Sequence, residues 1–321
     1  MGPLDPRVDV SIVIVNWNTR ELLRACLSSI PRTIHGGNGP DAAFHQIEVI
    51  VVDNGSHDGS VEMVAREFPY VQLLINERNV GFAAANNLAL RTAHGRYLLL
   101  LNSDTVVRPS AIEAMVAHMD AHLELGAVGP RLLNADGSLQ LSAHDFPRLD
   151  HDAVMLLEVK HWPLIGNVVR RVAQRTYGPQ HEQTRTVDWV SGACLMLRRE
   201  ALRQVGVLDE AYFFFFEESD LCYRLSERRW RTAFLADAEV IHMGGQSRDR
   251  APAASLVWYY RGLLRYYRLH SSQRRYALVR IGVLIGTFGH IMWRLPGRRR
   301  RLAQRSFLAA YARILSYAMK G

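Results

Sequence analysis

Apolar runs typical of strands alternate with helical patterns in the N-terminal third of the chain, and this alternation constrains the fold most. The first run, Val10–Val15 (VSIVIV), is rich in β-branched residues, as expected for a strand buried on both faces. Three further runs follow helical or loop segments, at Ile47–Val52, Val71–Ile75 and Tyr97–Leu101. Repeated β–α units predict an α/β fold with a mostly parallel, doubly wound sheet flanked by helices.

Polar residues follow two of these runs at the point where each predicted strand ends. Asp53 ends the second run, and Asn102-Ser103-Asp104 follows the fourth. Ligands of such sheets bind beyond the carboxyl ends of the strands, so we expect these residues to share a site. Asp53 is suited to hydrogen bonds from a nucleobase or ribose, and Asp104 to a divalent cation that neutralises a diphosphate. For both motifs, a turn that caps the next helix is the alternative.

The chain contains neither a G-x-G-x-x-G fingerprint nor a P-loop, which argues against dinucleotide oxidoreductases and P-loop ATPases. Asn79–Asn87 places asparagines around a tight turn into a helix of small residues. Gly81 is expected to allow close approach of the backbone, whereas helix packing explains the alanines better than ligand binding does.

Four consecutive phenylalanines, Phe213–Phe216, run directly into an acidic cluster of Glu217, Glu218 and Asp220. Mutual repulsion and apolar neighbours are expected to raise the pKa of at least one carboxyl, which suits a general base. The alternative is an acidic first turn of a helix, favoured by the helix dipole. Asp220 can also pair with Arg224 one turn later, which would be a structural role.

Two further short strands are predicted at Thr232–Leu235 and Glu239–His242, and His242 is the last residue of the second. A neutral imidazole there could bind a metal, although a single histidine is more often structural. Val187–Leu197 also has strand character, and the weakly patterned Ala143–Arg185 is expected to form loops on the acceptor side of the site.

In this order the motifs VSIVIVNWN, VVDNGSHDGS, NVGFAAANN, LLLLNSDT, VSGACLMLRR, FFFFEESDLCYR and VIHMGGQS resemble the family 2 glycosyltransferases of the GT-A fold, most closely the bacterial rhamnosyltransferase-like branch. The resemblance covers about residues 9–247 and implies an inverting transfer from a nucleotide-diphosphate sugar to a hydroxyl. Rhamnose from dTDP-rhamnose is the implied sugar, and a lipid-linked or cell-envelope glycan is the implied acceptor.

The resemblance also implies roles for individual residues. Glu218 would be the catalytic base, accompanied by Glu217 and Asp220, and Asp104 and His242 would hold Mn²⁺ or Mg²⁺. Trp189, Ser191 and Gly192 would lie near the sugar and acceptor. The implied donor-binding residues are Val15, Asn16, Asn18, Asp53, Asn54, Gly81, Asn86, Asn102, Ser103 and Asp104. Two positions depart from the family pattern: Asn102 replaces the first aspartate of D-x-D, and Glu218 replaces an aspartate.

The sequence predicts a catalytic domain over residues 1–247, with a nucleotide-binding half at about 8–130 and an acceptor half at about 131–247. Residues 248–321 carry fifteen arginines and one lysine against Asp249 alone, so this tail has a charge of about +15, whereas residues 1–247 have about −7 and the whole chain has +8. Arginines interleaved with Trp258, Tyr259, Tyr260, Tyr266 and Tyr267 predict an amphipathic helical extension on an anionic membrane surface. A homodimer contact or packing against the catalytic domain is the alternative.

The chain shows no recognition module for nucleic acid, and neither a signal peptide nor a membrane-spanning run is predicted. Three separated cysteines indicate a reducing compartment. We therefore expect a cytoplasmic protein at the inner face of the cell membrane. A non-catalytic scaffold that binds nucleotide sugars is the main alternative. A nucleotidyltransferase is disfavoured because Asn16-Trp17-Asn18, rather than a basic glycine-rich loop, follows the first strand.

Overall fold

The structure is a computed structural model that describes residues 1–35, 44–147, 181–244, 251–294 and 301–320. These residues fall into two compact units. The first contains the described parts of residues 1–146, 181–211 and 217–244, and the second contains residues 212–216 and the described residues from 251 onward. Most of the segment Ala143–Arg185, for which loops were predicted, and the predicted domain boundary near residue 247 lie outside the described residues.

The N-terminal half of the first unit alternates strands and helices as the sequence predicts. Strand β1 pairs in parallel with β3 and β5, and β4 pairs in parallel with β3. The short β2 is antiparallel to β3. The elements are β1 (Val8–Asn16), α1 (Arg20–Ser29), β2 (Thr33–His35), β3 (Phe44–Asp53), α2 (Ser60–Glu67), β4 (Gln72–Ile75), α3 (Phe82–Thr92), β5 (Tyr97–Asn102), β6 (Thr105–Val107) and α4 (Ala111–Ala121).

The remaining strands of this unit, apart from the separate pair β9 and β11, extend the same sheet, whose main order is β10-β13-β7-β12-β5-β1-β3-β2. Strand β12 is antiparallel to both neighbours, whereas β7 and β13 are parallel to each other. The fold is therefore the predicted α/β class with a mostly parallel sheet. These elements are β7 (Leu125–Leu133), β8 (Leu139–Gln140), β9 (Ala143–His144), β10 (Arg185–Val187), β11 (Trp189–Val190), β12 (Cys194–Arg198), α5 (Arg199–Val205), α6 (Glu217–Glu227) and β13 (Arg231–His242).

Two strand predictions were wrong in detail. The predicted strand Val187–Leu197 is broken, because β11 leaves the main sheet to pair with β9 and the chain bends at residues 191–193 before β12. The two short strands predicted at Thr232–Leu235 and Glu239–His242 are one strand, β13, with a register shift between Leu235 and Glu239.

Strand β1 shows why apolar residues in the predicted strands do not alternate with polar ones. Val10, Ile12 and Ile14 lie in one apolar layer, and Val13 lies in the layer on the other face of the sheet. All four side chains are fully buried. Since successive side chains of a strand point to opposite faces, a strand covered on both sides has to be apolar at consecutive positions.

The described residues of the second unit form three helices, α7 (Pro252–His270), α8 (Gln273–Arg294) and α9 (Arg301–Lys320), which agrees with the predicted helical extension. Trp258 stacks on Phe213 at 4.5 Å between ring centroids, and Phe216 lies 5.3 Å from Tyr259. Tyr260, Tyr266 and Tyr267 are buried. The prediction that the aromatic residues of α7 face lipid is therefore corrected, because these rings pack within the unit. Among the described residues, no helix combines the length and apolar character needed to cross a membrane.

Candidate active site

The polar ends of β1, β3 and β5 meet at one edge of the sheet. Asn16 is the register partner of Asp53, and Val15 is the partner of Asn102. The Asn16 amide Nδ2 donates to Oδ2 of Asp53 at 3.0 Å. The structure thus brings the predicted nucleoside-binding and cation-binding motifs together, as expected for the carboxyl ends of parallel strands.

Thr19 joins these two motifs through its side chain. Its hydroxyl donates to Oδ1 of Asn16 at 2.6 Å and lies 2.8 Å from the hydroxyl of Ser103. Thr19 was not a predicted site residue, because a threonine directly before a helix usually caps it. Here it occupies the N-cap position of α1 without a side-chain cap bond, and its hydroxyl bridges two strand ends instead.

The turn after Asp53 is braced by its own polar side chains. Asp53 is buried, and its Oδ1 accepts the backbone N–H of Ser56 at 2.8 Å. Asn18 has a left-handed backbone with φ of 54°, and its Oδ1 accepts the N–H of His57 at 2.8 Å. These hydrogen bonds fix the side chains of Asp53 and Asn18 at this edge of the sheet.

Asn54 supports the neighbouring turn rather than pointing into open space. Its Oδ1 accepts the N–H of Val80 at 3.1 Å, and its Nδ2 donates to the carbonyl oxygen of Gly81 at 3.3 Å. Gly81, with φ of 93°, occupies a conformation that favours glycine. Asn86 is buried and donates to the carbonyl oxygen of Phe82 at 2.9 Å, while its Oδ1 has no hydrogen-bond partner among the described residues.

Asp104 and His242 form the predicted cation-binding pair. Oδ1 of Asp104 lies 3.3 Å from Nε2 of His242, and the Asn102 amide nitrogen lies 3.3 Å from the same ring nitrogen. His242 reaches this position because its strand, β13, pairs with β6 directly opposite Thr105. The backbone N–H of Met243 also donates to the carbonyl oxygen of Asp104 at 2.9 Å, which fixes the two segments together.

A relay of side chains sets the tautomer of His242. The Gln140 amide nitrogen donates to Oδ1 of Asn134 at 2.9 Å, which turns Oε1 of Gln140 toward Nδ1 of His242 at 2.6 Å. Since a carbonyl oxygen can only accept, Nδ1 carries the hydrogen, and in the neutral form of the ring Nε2 therefore has the lone pair. A carboxylate and an imidazole lone pair at this separation fit a divalent cation.

Charged ligands are few at this position. Among the described residues, no group of three histidine, cysteine, aspartate or glutamate side chains is arranged to hold a metal. Asn102 lies beside Asp104 and His242, but its side chain is an amide. A carboxylate at this position would complete such a group. Gln140 was not a predicted site residue, because the two-residue strand β8 that carries it has no recognisable sequence pattern.

Glu217 and Glu218 begin α6 as a buried acidic pair. Burial is the main cause that raises the pKa of both carboxyls, and for Glu217 the neighbouring charge of Glu218 adds to it. Oε2 of each residue is buried and has no hydrogen-bond partner among the described residues. Glu217 is only 3% exposed, whereas Glu218 is half-buried, so Glu218 is the more accessible member of the pair.

The bend at residues 191–193 connects this pair with the cation-binding edge. The backbone of Gly192 lies against the Glu218 side chain, because a Cβ added to Gly192 would lie 3.5 Å from Oε1 of Glu218. The next residue, Ala193, accepts the N–H of Asn102 at 2.9 Å. Asp104, His242 and Glu218 therefore belong to one end of the sheet rather than to unrelated surfaces.

Asp220 and Trp189 have contacts of a different kind. Asp220 is buried and pairs with Arg224 at 2.8 Å, and Arg224 also donates to the carbonyl oxygens of Val205 and Val207. These contacts give Asp220 a structural role. Trp189 stacks on His144 at 4.3 Å and remains half-buried beside the bend that carries Ser191.

Residues 11–206 match the sequence model of the protein family glycosyl transferase family 2. A relative from Mycobacterium tuberculosis, N-acetylglucosaminyl-diphospho-decaprenol L-rhamnosyltransferase, is 30% identical over 67% of this chain and 73% of its own length. The low-salt glycan biosynthesis hexosyltransferase Agl10 of Haloferax volcanii is 23% identical over 67% of this chain and 61% of its own.

Solved structures show the same fold at low sequence identity. The mannosyltransferase PcManGT from Pyrobaculum calidifontis, in complex with GDP-Man and Mn²⁺, is similar over 99% of this chain and 89% of its own, with a TM-score of 0.52 and 16% identity. The S. aureus TarS structure with UDP-GlcNAc covers 97% of this chain and 82% of its own, with a TM-score of 0.51 and 14% identity. The sheet is thus the GT-A sheet, and the chain belongs to glycosyl transferase family 2, in its rhamnosyltransferase-like branch.

Proposed function

We propose that this glycosyltransferase moves rhamnose from dTDP-rhamnose to a hydroxyl of a lipid-linked glycan in one inverting displacement. The choice of sugar and acceptor rests on the name of the Mycobacterium tuberculosis relative, which acts on a diphospho-decaprenol acceptor and transfers L-rhamnose. Acting on a lipid-linked acceptor would place the protein at the cytoplasmic face of the cell membrane.

The observation that carries the proposal is the 3.3 Å pairing of Asp104 with His242 at the end of the sheet that also holds Glu218. Asp104 and His242, with Asn102 beside them, would hold Mn²⁺ or Mg²⁺. When bound there, the cation neutralises the negative charge that develops on the departing diphosphate. Asn16, Asn18 and Asp53 surround the same edge and are proposed to hold the nucleoside.

Glu218 is proposed to be the general base. The acceptor oxygen forms a bond to the anomeric carbon as the bond from that carbon to the diphosphate oxygen breaks, and the hydroxyl proton passes to Glu218. Burial raises the pKa of Glu218 toward the operating pH, where a base is most effective. Gly192 lies against this carboxylate, where a larger residue would bring its Cβ to 3.5 Å from Oε1. Because the transfer is one displacement, the anomeric configuration inverts without a covalent enzyme intermediate.

Trp189, Ser191 and Gly192 are proposed to line the acceptor side. The Trp189 ring is fixed by its stacking on His144, and its Nε1 donates to the carbonyl oxygen of Asp145 at 2.9 Å. A rigid aromatic ring beside the base suits a sugar acceptor, whose ring hydrogens form an apolar face.

A non-catalytic scaffold accounts less well for the acidic pair. Each of these adjacent carboxyls has a buried oxygen without a partner among the described residues, and this destabilises the fold because buried polar atoms are normally hydrogen-bonded. Buried carboxyls without full hydrogen bonding are expected at active sites, where a group has to change its protonation state. The pair therefore supports an enzyme.

The proposal is tested by incubating the protein with dTDP-rhamnose, Mn²⁺ and an N-acetylglucosaminyl-diphospho-prenol acceptor. We expect acceptor-dependent release of dTDP, and a product whose anomeric configuration, read by NMR, is opposite to that of the donor. The Glu218→Gln variant is the matched control and is expected to release little dTDP. A product with retained configuration, or equal turnover by the variant, would contradict the proposed mechanism.

A further inference from the structure

Helix α8 is apolar on two faces. Tyr276, Val279 and Val283 are buried within the second unit. On the other side lies an exposed row, here named the α8 stripe, whose side chains are each between 51% and 60% exposed: Leu278, Ile281, Ile285 and Phe288.

The α8 stripe is one continuous surface rather than scattered apolar residues. Its members are spaced by three, four and three residues, which places them on one face of a helix. Single exposed apolar side chains are ordinary, but a contiguous exposed row marks a surface that another partner covers.

Charge favours an anionic partner for this surface. Arg274 and Arg275 are exposed at the start of α8, and Arg274 lies one turn before Leu278 on the same face. Helix α8 contains no acidic residue, and the whole C-terminal segment from residue 248 has a single acid. An apolar row flanked by arginines is the pattern of a helix that lies in the plane of a membrane surface.

We infer that the α8 stripe is a docking surface for a bilayer of anionic phospholipid. Leu278, Ile281, Ile285 and Phe288 enter the boundary between headgroups and acyl chains, and the arginines contact the lipid phosphates. The helix lies on the bilayer rather than crossing it. This assignment moves the lipid-facing surface from α7 to α8, because the aromatic rings of α7 are used in packing. It does not depend on the identity of the sugar or the acceptor.

The test is flotation of the full-length protein with vesicles of phosphatidylcholine alone or of phosphatidylcholine mixed with phosphatidylglycerol. The double variant Ile285→Gln, Phe288→Gln removes half of the α8 stripe. We expect its partitioning onto the anionic vesicles to fall by at least about tenfold relative to the unchanged chain. The double variant Arg274→Gln, Arg275→Gln is expected to lose the preference for anionic over neutral vesicles.

Leu123→Gln is the matched control, because Leu123 is 72% exposed and belongs to the first unit rather than to α8. Its partitioning is expected to equal that of the unchanged chain. Thermal unfolding of each variant checks the fold, and release of dTDP from the donor checks the active site, so failure here is distinguishable from failure of the proposed function. Equal flotation of all forms would overturn the inference. So would a dimer, detected by sedimentation, that the α8 double variant abolishes without changing flotation.

Discussion

Oε1 of Gln140 lies 2.6 Å from Nδ1 of His242, and this contact determines which nitrogen of the imidazole is available to a cation. The orientation of Gln140 is itself fixed by Asn134, whose Nδ2 donates to the hydroxyl of Ser138 at 2.9 Å. Partners of this kind orient metal-binding histidines and raise their basicity. Gln140 is therefore a positioning residue for the proposed cation site.

The Gln140→Leu variant is predicted to bind Mn²⁺ on the order of 10- to 100-fold more weakly, because nothing then accepts the Nδ1 hydrogen of His242. The measurement is a titration with Mn²⁺ followed by electron paramagnetic resonance. Gln140→Glu keeps an acceptor at the same position and is expected to retain the affinity. Equal binding by the leucine variant would show that Gln140 does not position the ring.

Asn102→Asp is predicted to strengthen cation binding by on the order of tenfold, because it adds a carboxylate beside Asp104 and His242. The gain is expected for Mn²⁺ in the absence of nucleotide, measured by calorimetry. Asn102→Ser, which adds no charge, is the control. Weaker binding by the aspartate variant would mean that residue 102 does not face the cation.

The two glutamates of the acidic pair are predicted to respond differently to the same substitution. Glu218→Gln lowers turnover by about 10²- to 10⁴-fold with donor affinity retained, because a general base is lost. Glu217→Gln leaves turnover within a few fold, since Glu217 is sealed from substrate. Steady-state kinetics and donor binding on both variants make the comparison, and a reversed order of effects would assign the base to Glu217.

Activity is predicted to fall as the pH is lowered, because the proposed base works only when deprotonated. Burial raises the pKa of Glu218, so the midpoint of this loss lies above the ordinary glutamate value of about 4.3. The profile of kcat/KM against pH is the measurement. A midpoint at or below that ordinary value would contradict the buried environment of the base.

Stability has the opposite dependence on pH. The folded-state pKa of Glu217 is raised, so the folded protein holds a proton that the unfolded chain releases. The free energy of unfolding then falls as pH rises from the unfolded pKa of about 4.3 toward the folded pKa, by up to about 1.4 kcal/mol per pH unit. Glu217→Gln is expected to flatten this slope in denaturant titrations at several pH values, and an unchanged slope would contradict the assignment.

Thr19→Val is predicted to destabilise the fold by about 1–3 kcal/mol and to weaken nucleotide binding, because Asn16 and Ser103 each lose a buried hydrogen-bond partner. Thr19→Ser keeps the hydroxyl and is the matched control. Chemical denaturation and calorimetry with dTDP measure the two effects. Loss of stability in the valine variant without loss of dTDP affinity would restrict Thr19 to a purely structural role.

The sequence predicted the parallel half of the sheet because β1, β3 and β5 contain runs that are apolar on both faces, and helical patterns separate these runs. It failed at β11 and β12, because the bend at residues 191–193 depends on pairing with β9, which is distant in sequence. Asp104, His242 and Glu218 could be named from motifs. Thr19 and Gln140 could not, since their roles arise from contacts across the sheet that leave no local pattern.

The most direct test of the proposed cation site is Mn²⁺ binding in the presence of dTDP, compared between the unchanged chain and the Asp104→Asn and His242→Leu variants. Electron paramagnetic resonance is expected to show one Mn²⁺ that binds more tightly with dTDP present, and loss of that signal in both variants. Binding of Mn²⁺ with the same affinity by all three proteins would contradict the claim that Asp104 and His242 hold the cation that receives the diphosphate.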